Sequence, residues 1–450
     1  MYRQKDIDII NNNLDSLEDK AKGIYLQNYE PTIEEINSVY KIIKNYIREN
    51  GLIIYGGYAQ NALIKVKNPD AVFYKEVDVP DIEFYSYEPL KNLIELCDIL
   101  YKEGFKHVEG KEGMHPSTYK IFVNFIAFTD FSYMPKYIFD NCPTITIEGM
   151  KMTHPHFMLV DAYRVYSDPM TSYFRLRKTF SRFTRLMEYY SFNDNTIYNK
   201  LEYSVNLSEK QYDEINRFIR KKILHKNKII VIGHRAFNRL MRKAGMPSTY
   251  IIQEPFYQLI SINYDKDRTM IYDLLKNNCN KDCKITTKEY HPFFQFFDKS
   301  TEYYYNEQLV IRLYGANEKC IVYRYSPKKK TYFGSFQLQI QYLLANYQLG
   351  VIRQNNFNKT AHMTMITRMF KARETYLDKN NASILNDTPF QSFTLKCMGE
   401  PKDPIRSSLL AGLERKKKGK QMKFSYRPSG KPGKIPDYRF DNLSGNLKNN

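Results

Sequence analysis

The 450-residue chain has no tryptophan and only six cysteines. It also lacks any apolar run near the ~20 residues that a helical bilayer span needs. Its first residues, MYRQKDIDIINNN, do not carry the basic-then-apolar pattern of a secretory signal. These absences lead us to expect a soluble, intracellular protein with no membrane partner. Cys279 and Cys283 are the only close cysteine pair, and no second Cys/His pair follows at zinc-site spacing. All six cysteines therefore read as reduced thiols. Acidic residues are in deficit, with 49 Asp+Glu against 68 Lys+Arg, a net charge of +19 and a pI near 9.3. Such a balance favours polyanions, nucleic acid first. Without tryptophan, the 39 Tyr and 28 Phe must supply the aromatic core.

The length exceeds what one core accommodates, so two or three domains are expected. Residues 32–50 carry Ile33, Ile36, Val39, Ile43 and Ile47 at helical spacing, closing an N-terminal helical region over 1–50. A short apolar run, Leu52 to Tyr55, then meets Gly56-Gly57 and a helical pattern through Ala59, Leu63 and Val66. This reads as strand, tight turn, helix. EVDVPDIEFYS follows as a strand, 89–104 as a helix with Pro at its start, and 118–134 as one or two strands. Residues 156–190 read as helical and rich in Arg and Lys.

The chain then repeats itself. Ile53, Gly56, Ala59, Asn61 and Leu63 match Ile230, Gly233, Ala236, Asn238 and Leu240 without a gap. A weaker match sets 118–136 against 308–328, which places Val322 opposite Asp130. His234 stands at Gly57, and the strand FYQLISINY (256–264) has no acid before Asp265. We therefore expect a duplicated α+β fold, a mixed sheet flanked by helices in each copy. Residues 51–190 would be the catalytic copy and 191–400 a degenerate one serving RNA binding or dimerisation. The stretch 401–450, with ERKKKGK and a Pro/Gly/Ser-rich segment, reads as a basic, disordered tail.

The first copy holds residues suited to nucleotidyl transfer. Glycines between a strand and a helix let the backbone approach phosphate oxygens, and the helix N-terminus favours anions. Alone, such a pair is also an ordinary tight turn. Asp81 and Glu83, two apart on a strand, share a face and suit hard cations, although a solvated strand face looks the same. Asp78 is out of phase and peripheral. Asp130 is the best third carboxylate, with Asn124 as the alternative position. His154 and His156 flank Pro155 ahead of a helix and read as a turn, and no Ser–His–Asp or Cys–His set can be assembled.

The order Gly-Gly, Asp-x-Glu, then a later Asp resembles the polymerase β-like nucleotidyltransferase superfamily. YGGYAQNAL, PDIEFYS, TDFSYMP and YSDPMTSYFRLRKTFSRFTRL look more closely like the poly(A) polymerase catalytic subunits of poxviruses and other large DNA viruses. The resemblance covers residues 30–190 and extends weakly to about 400. The gap from Gly57 to Asp81 is longer than is usual in the superfamily. The resemblance implies template-independent addition of AMP from ATP to RNA 3′ ends. It implies two Mg²⁺ or Mn²⁺ ions on Asp81, Glu83 and Asp130, with nucleotide contacts from Gly56, Gly57, Tyr58, Arg175, Lys178 and Arg182. It further implies location in the virion and host cytoplasm, and a second copy or a helper subunit as partner. Two alternatives stay open: uridylyl or CCA-type addition, and an inactive RNA-binding scaffold. Arg175, Lys178, Arg182 and Arg185 form a basic stripe opposite Phe174, Phe180 and Phe183, suited to triphosphate or RNA backbone and equally to a solvated face.

Overall fold

The structure is a computed structural model. It describes residues 2–434 except 30, 76–77, 116, 193–200, 202–204, 280–282, 420–423 and 432. By contacts the chain divides into two units. The first comprises 1–134, 144–153 and 408–439, and the second 135–143, 154–407 and 440–450. These units do not follow the linear boundaries drawn from sequence: the helices after residue 154 pack within the second unit.

The first unit is built on β1 (Ile53–Tyr55), β2 (Ile82–Ser86), β3 (Glu109–Glu112), β4 (Thr118–Val123), β5 (Ile126–Tyr133), β6 (Thr144–Ile147) and β7 (Met150–Thr153). The second is built on β8 (Ile230–Ile232), β9 (Tyr257–Ser261), β10 (Ile285–Tyr290), β11 (Ser300–Tyr305), β12 (Gln308–Gly315), β13 (Ile321–Ser326), β14 (Thr331–Gly334) and β15 (Cys397–Met398). A last strand, β16 (Ser425–Tyr426), joins the first sheet. The strand orders are β16-β3-β4-β5-β2-β1-β7-β6 and β10-β11-β12-β9-β8-β14-β13-β15. Seven strands in each sheet thus share one order and one set of directions, so the duplicated fold is present.

Local sequence explains the first elements. The helix Ile33–Glu49 starts at Thr32, whose hydroxyl accepts the Glu35 N–H while the Glu35 carboxylate accepts the Thr32 N–H. Its face of Ile36, Val39, Ile43 and Ile47 is buried. In the first sheet, Phe84 and Phe131 are fully buried on neighbouring strands and stack at 4.8 Å. Burying each such ring stabilises the fold by about 1.5–3 kcal/mol. The second unit's core gathers Val231, Leu259, Tyr303, Ile311 and Leu313.

Four readings need correction or refinement. First, the register shows that β11 and β12 are the counterparts of β4 and β5. The match of 118–136 to 308–328 was displaced along the chain, and Val322 lies on β13, the counterpart of β6. Second, the cysteines are not all free. Cys279–Cys283 and Cys320–Cys397 are disulfides, with Cα separations of 5.5 and 5.3 Å, and Cys97 and Cys142 are free thiols. Antiparallel pairing of β13 with β15 brings Cys320 beside Cys397 across 77 residues, a proximity invisible to spacing. Third, the stretch expected to lack structure contains the helix Pro404–Lys417 and β16, which pairs with β3; residues 435–450 lie outside the described residues. Fourth, β2 begins at Ile82, so Asp81 is the residue just before it. Among the described residues, no helix is long and apolar enough to cross a membrane.

Candidate active site

The first unit's site forms where β1 ends and the helix Gly56–Lys67 begins. Gly56 has φ +69°, a left-handed conformation that side chains rarely adopt. A Cβ placed on it would sit 1.7 Å from Oε2 of Glu83. That same oxygen accepts the Gly57 N–H at 2.8 Å. The glycine turn and the β2 carboxylate are therefore one unit, in which Glu83 satisfies an N–H that the helix start leaves unpaired.

β2 and β5 run parallel, with Glu83 beside Asp130. Asp130 in turn stands opposite Lys120 on β4, and Lys120 Nζ lies 2.7 Å from its Oδ2. Burial pushes the Asp130 carboxyl above the usual carboxylate range. The Lys120 ammonium pulls it back and the nearby Asp81 charge adds to the rise. Oδ1 of Asp130 is buried and has no hydrogen-bond partner. The Asp81 carboxylate is half-buried and makes no hydrogen bond or ion pair among the described residues.

The other expected residues fall as follows. Tyr58 lies on the first turn of the helix, with Lys44 Nζ 5.4 Å from its ring centre. Asp78 pairs with Lys22 at 3.3 Å and accepts the Lys75 N–H, so its charge is already spent. Asn124 sits with Phe125 in the β4–β5 hairpin turn, both at positive φ, and not beside Glu83. Arg175, Lys178, Arg182 and Arg185 lie on the last turn of a 3₁₀ segment and on the helix Leu176–Tyr189, in the second unit. Phe183 and Leu186 form the buried side of that helix. Phe174 and Phe180, placed opposite the basic stripe by spacing, are 57% and 52% exposed. Their rings therefore share the surface with the cations. Sequence reasoning missed Lys120; strand alternation in TYKIFV would have placed it on the face of Asp130 only once the hairpin register was known.

Among the described residues no group of three or more His, Cys, Asp or Glu side chains is gathered around one metal position. Glu83 is held by Gly57 and Asp130 by Lys120. The donors nonetheless suit a hard cation. All are carboxylate oxygens, one oxygen is buried without a partner, and Asp81 is uncommitted.

A duplicated nucleotidyltransferase-type fold, with three neighbouring acids beside the glycine turn of one copy only, defines the class. Comparison with known proteins narrows it. Residues 41–172 match the family "Poly(A) polymerase catalytic subunit", and residues 184–450 match "APMV, Putative poly(A) polymerase, catalytic subunit, C-terminal". The chain is 32% identical to a putative poly(A) polymerase catalytic subunit of Acanthamoeba polyphaga mimivirus, over 93% of this chain and 78% of that protein. It is 29% identical to the putative poly(A) polymerase catalytic subunit of African swine fever virus, over 36% of this chain and 35% of that protein. Its structure is similar to that of the Megavirus polyadenylate synthase, with TM-score 0.89 and 31% identity, covering 95% of this chain and 86% of the other. The chain belongs to the poly(A) polymerase catalytic subunit family.

Proposed function

We propose that the protein extends RNA 3′ ends with AMP taken from ATP, without a template. The observation that carries this reading is the cross-strand placement of Glu83 beside Asp130, under the glycine turn, in a chain of this family.

Asp81, Glu83 and Asp130 are the residues that would hold Mg²⁺ or Mn²⁺. Bound there, the ions supply charge neutralisation for the attacking hydroxyl and the leaving pyrophosphate. Gly56 and Gly57 let the triphosphate approach the backbone at the helix start, where the dipole favours anions. Asp130, desolvated and neighboured by Asp81, is most stable with a cation close by. Lys120 supplies that cation in the resting site. Arg175, Lys178 and Arg182, with the exposed rings of Tyr173, Phe174 and Phe180, offer RNA both phosphate contacts and stacking surfaces.

The test is incubation of the purified protein with a labelled RNA primer, each NTP in turn, and Mg²⁺ or Mn²⁺. ATP-dependent extension is expected. No extension with any combination would end the polymerase reading, and unchanged extension by Asp81→Ala would end the site assignment.

A further inference from the structure

The second unit keeps the frame of the first and inverts its charge. The β8–β9 register sets Ile232 against Gln258, as β1–β2 sets Tyr55 against Glu83. β9 sets Gln258 beside Arg312, as β2 sets Glu83 beside Asp130. β11 sets Glu302 opposite Arg312, as β4 sets Lys120 opposite Asp130. Phe256, two residues before Gln258, stands in the place of Asp81. Three acids have thus become a ring, an amide and a guanidinium, and the lysine has become the one acid.

A cavity of about 190 Å³ opens at this place. Its walls include Phe256, Tyr290, His291, Arg312, Arg353 and His362. Among the described residues Glu302 is the one acid in its walls, and it is fully engaged. It accepts from Arg312 Nε at 2.7 Å, from the Tyr290 hydroxyl at 2.6 Å and from the Tyr304 hydroxyl at 2.5 Å. Arg353 is different. Its guanidinium makes no hydrogen bond or ion pair among the described residues, and its Nε is buried without a partner. A metal cation would find two guanidinium groups here and no uncommitted carboxylate. An anion would find a partly buried guanidinium that is unspent among the described residues and geometrically suited to phosphate.

We propose that this cavity is a binding site for a small phosphate anion, of phosphate to pyrophosphate size, held by Arg353 with Arg312 adding charge. The volume falls below the ~300 Å³ at which pockets begin to enclose larger organic ligands, so the cavity has room for a phosphate or pyrophosphate and does not enclose a whole nucleoside triphosphate. Pyrophosphate and inorganic phosphate share the required chemistry. The site does not depend on the polymerase reading.

The test is calorimetric titration of the whole protein, in chelator and at physiological salt, with pyrophosphate, phosphate and ATP separately. One stoichiometric pyrophosphate site is expected, weakened at least tenfold by Arg353→Gln, partly restored by Arg353→Lys and unchanged by Asp81→Asn with Glu83→Gln. Tighter binding of phosphate than of pyrophosphate would make the free monophosphate the occupant and still support the site. Absence of binding, or equal binding by Arg353→Gln, would overturn the proposal. So would loss of binding in the Asp81/Glu83 variant, which would return the anion to the first unit. ATP binding as tight as pyrophosphate would overturn the size assignment. Melting temperature without anion checks that Arg353→Gln is folded, and because no RNA or nucleotide addition is measured, the outcome is separable from that of the extension assay.

Discussion

Oε2 of Glu83 occupies the space where a Cβ on Gly56 would lie, 1.7 Å from it. The second unit repeats this arrangement with Gly233 and Gln258, where the corresponding distance is 1.6 Å and the Gln258 carboxamide accepts the His234 N–H at 3.3 Å. An uncharged amide therefore supports the same turn. Glu83→Gln should fold with a melting temperature near that of the wild type while losing ~100-fold or more in extension rate, a loss of the size seen when a group acting on transition-state charge is removed. Gly56→Ala should do worse on both counts. The left-handed φ alone costs about 1–3 kcal/mol, and the added methyl expels the carboxylate. Thermal melts and primer extension on the two variants separate the roles; an active Gly56→Ala protein would refute the coupling.

Lys120 and Asp130 give a second prediction. Lys120 Nζ lies 2.7 Å from Asp130 Oδ2, so under the proposed metal assignment the ammonium and a divalent cation would compete for the same carboxylate. Lys120→Met leaves Asp130 desolvated beside Asp81, without its compensating charge. The variant should melt lower than wild type in chelator and regain more stability when Mn²⁺ is added. Its extension rate should reach half-maximum at several-fold lower metal concentration, because binding now relieves an uncompensated charge. An identical metal dependence in both proteins would mean that Lys120 does not share the metal's position.

Much of this arrangement was legible in the sequence, and the limits have physical causes. Gly56, Asp81 and Glu83 could be read because a strand, a turn and a short loop keep chemistry local. Asp130 lies further along the chain, on β5, which is the neighbour of β2 only in the folded sheet; it was reached as the acid expected on a neighbouring strand. Lys120 escaped because its role depends on the register of a hairpin, which Asn124 and Phe125 set by adopting positive φ. The counterpart of Asp130 was misplaced for a related reason. TYKIFV alternates in burial while STEYYY is buried over four successive residues, so no shared pattern fixes their alignment. The Cys320–Cys397 disulfide depends on the pairing of a two-residue strand 77 residues away, beyond any local pattern. Spacing set Phe174, Phe180 and Phe183 opposite the basic stripe but could not say which of them is buried; only Phe183 is, because neighbouring helices decide which part of a side is covered.

The basic helix supplies a third prediction. Lys178 is exposed, and Arg182 and Arg185 are partly so. Replacing Lys178 and Arg182 with Gln should raise the Kd for single-stranded RNA by about tenfold and flatten its salt dependence by about one to two units of log–log slope. Phe180→Ala should weaken binding by about 1–3 kcal/mol per lost stacking contact without changing that slope. Binding measured at four or five salt concentrations distinguishes these. If neither variant alters affinity, the stripe is a solvated face.

The buried histidines give a pH prediction whose sign follows from burial. His234 and His362 line the second unit's cavity, and burial and the Arg312 charge lower their pKa values to about 3 and about 4. A bonded Asn358 carbonyl opposes the shift at His362, and the His362 charge adds to it at His234. His154, half-buried beside His156, is lowered to about 4. In the unfolded chain each titrates near 6.5. Between those values the unfolded state binds more protons than the folded state, so stability rises with pH through this window. It is fully present above 6.5 and is lost progressively as pH falls toward 4. The melting temperature should therefore fall steadily from pH 7 to pH 5. Replacing His362 with Gln, which retains a donor and an acceptor but cannot titrate in this range, should flatten that fall. A parallel decline in both proteins would assign the acid sensitivity to groups other than His362.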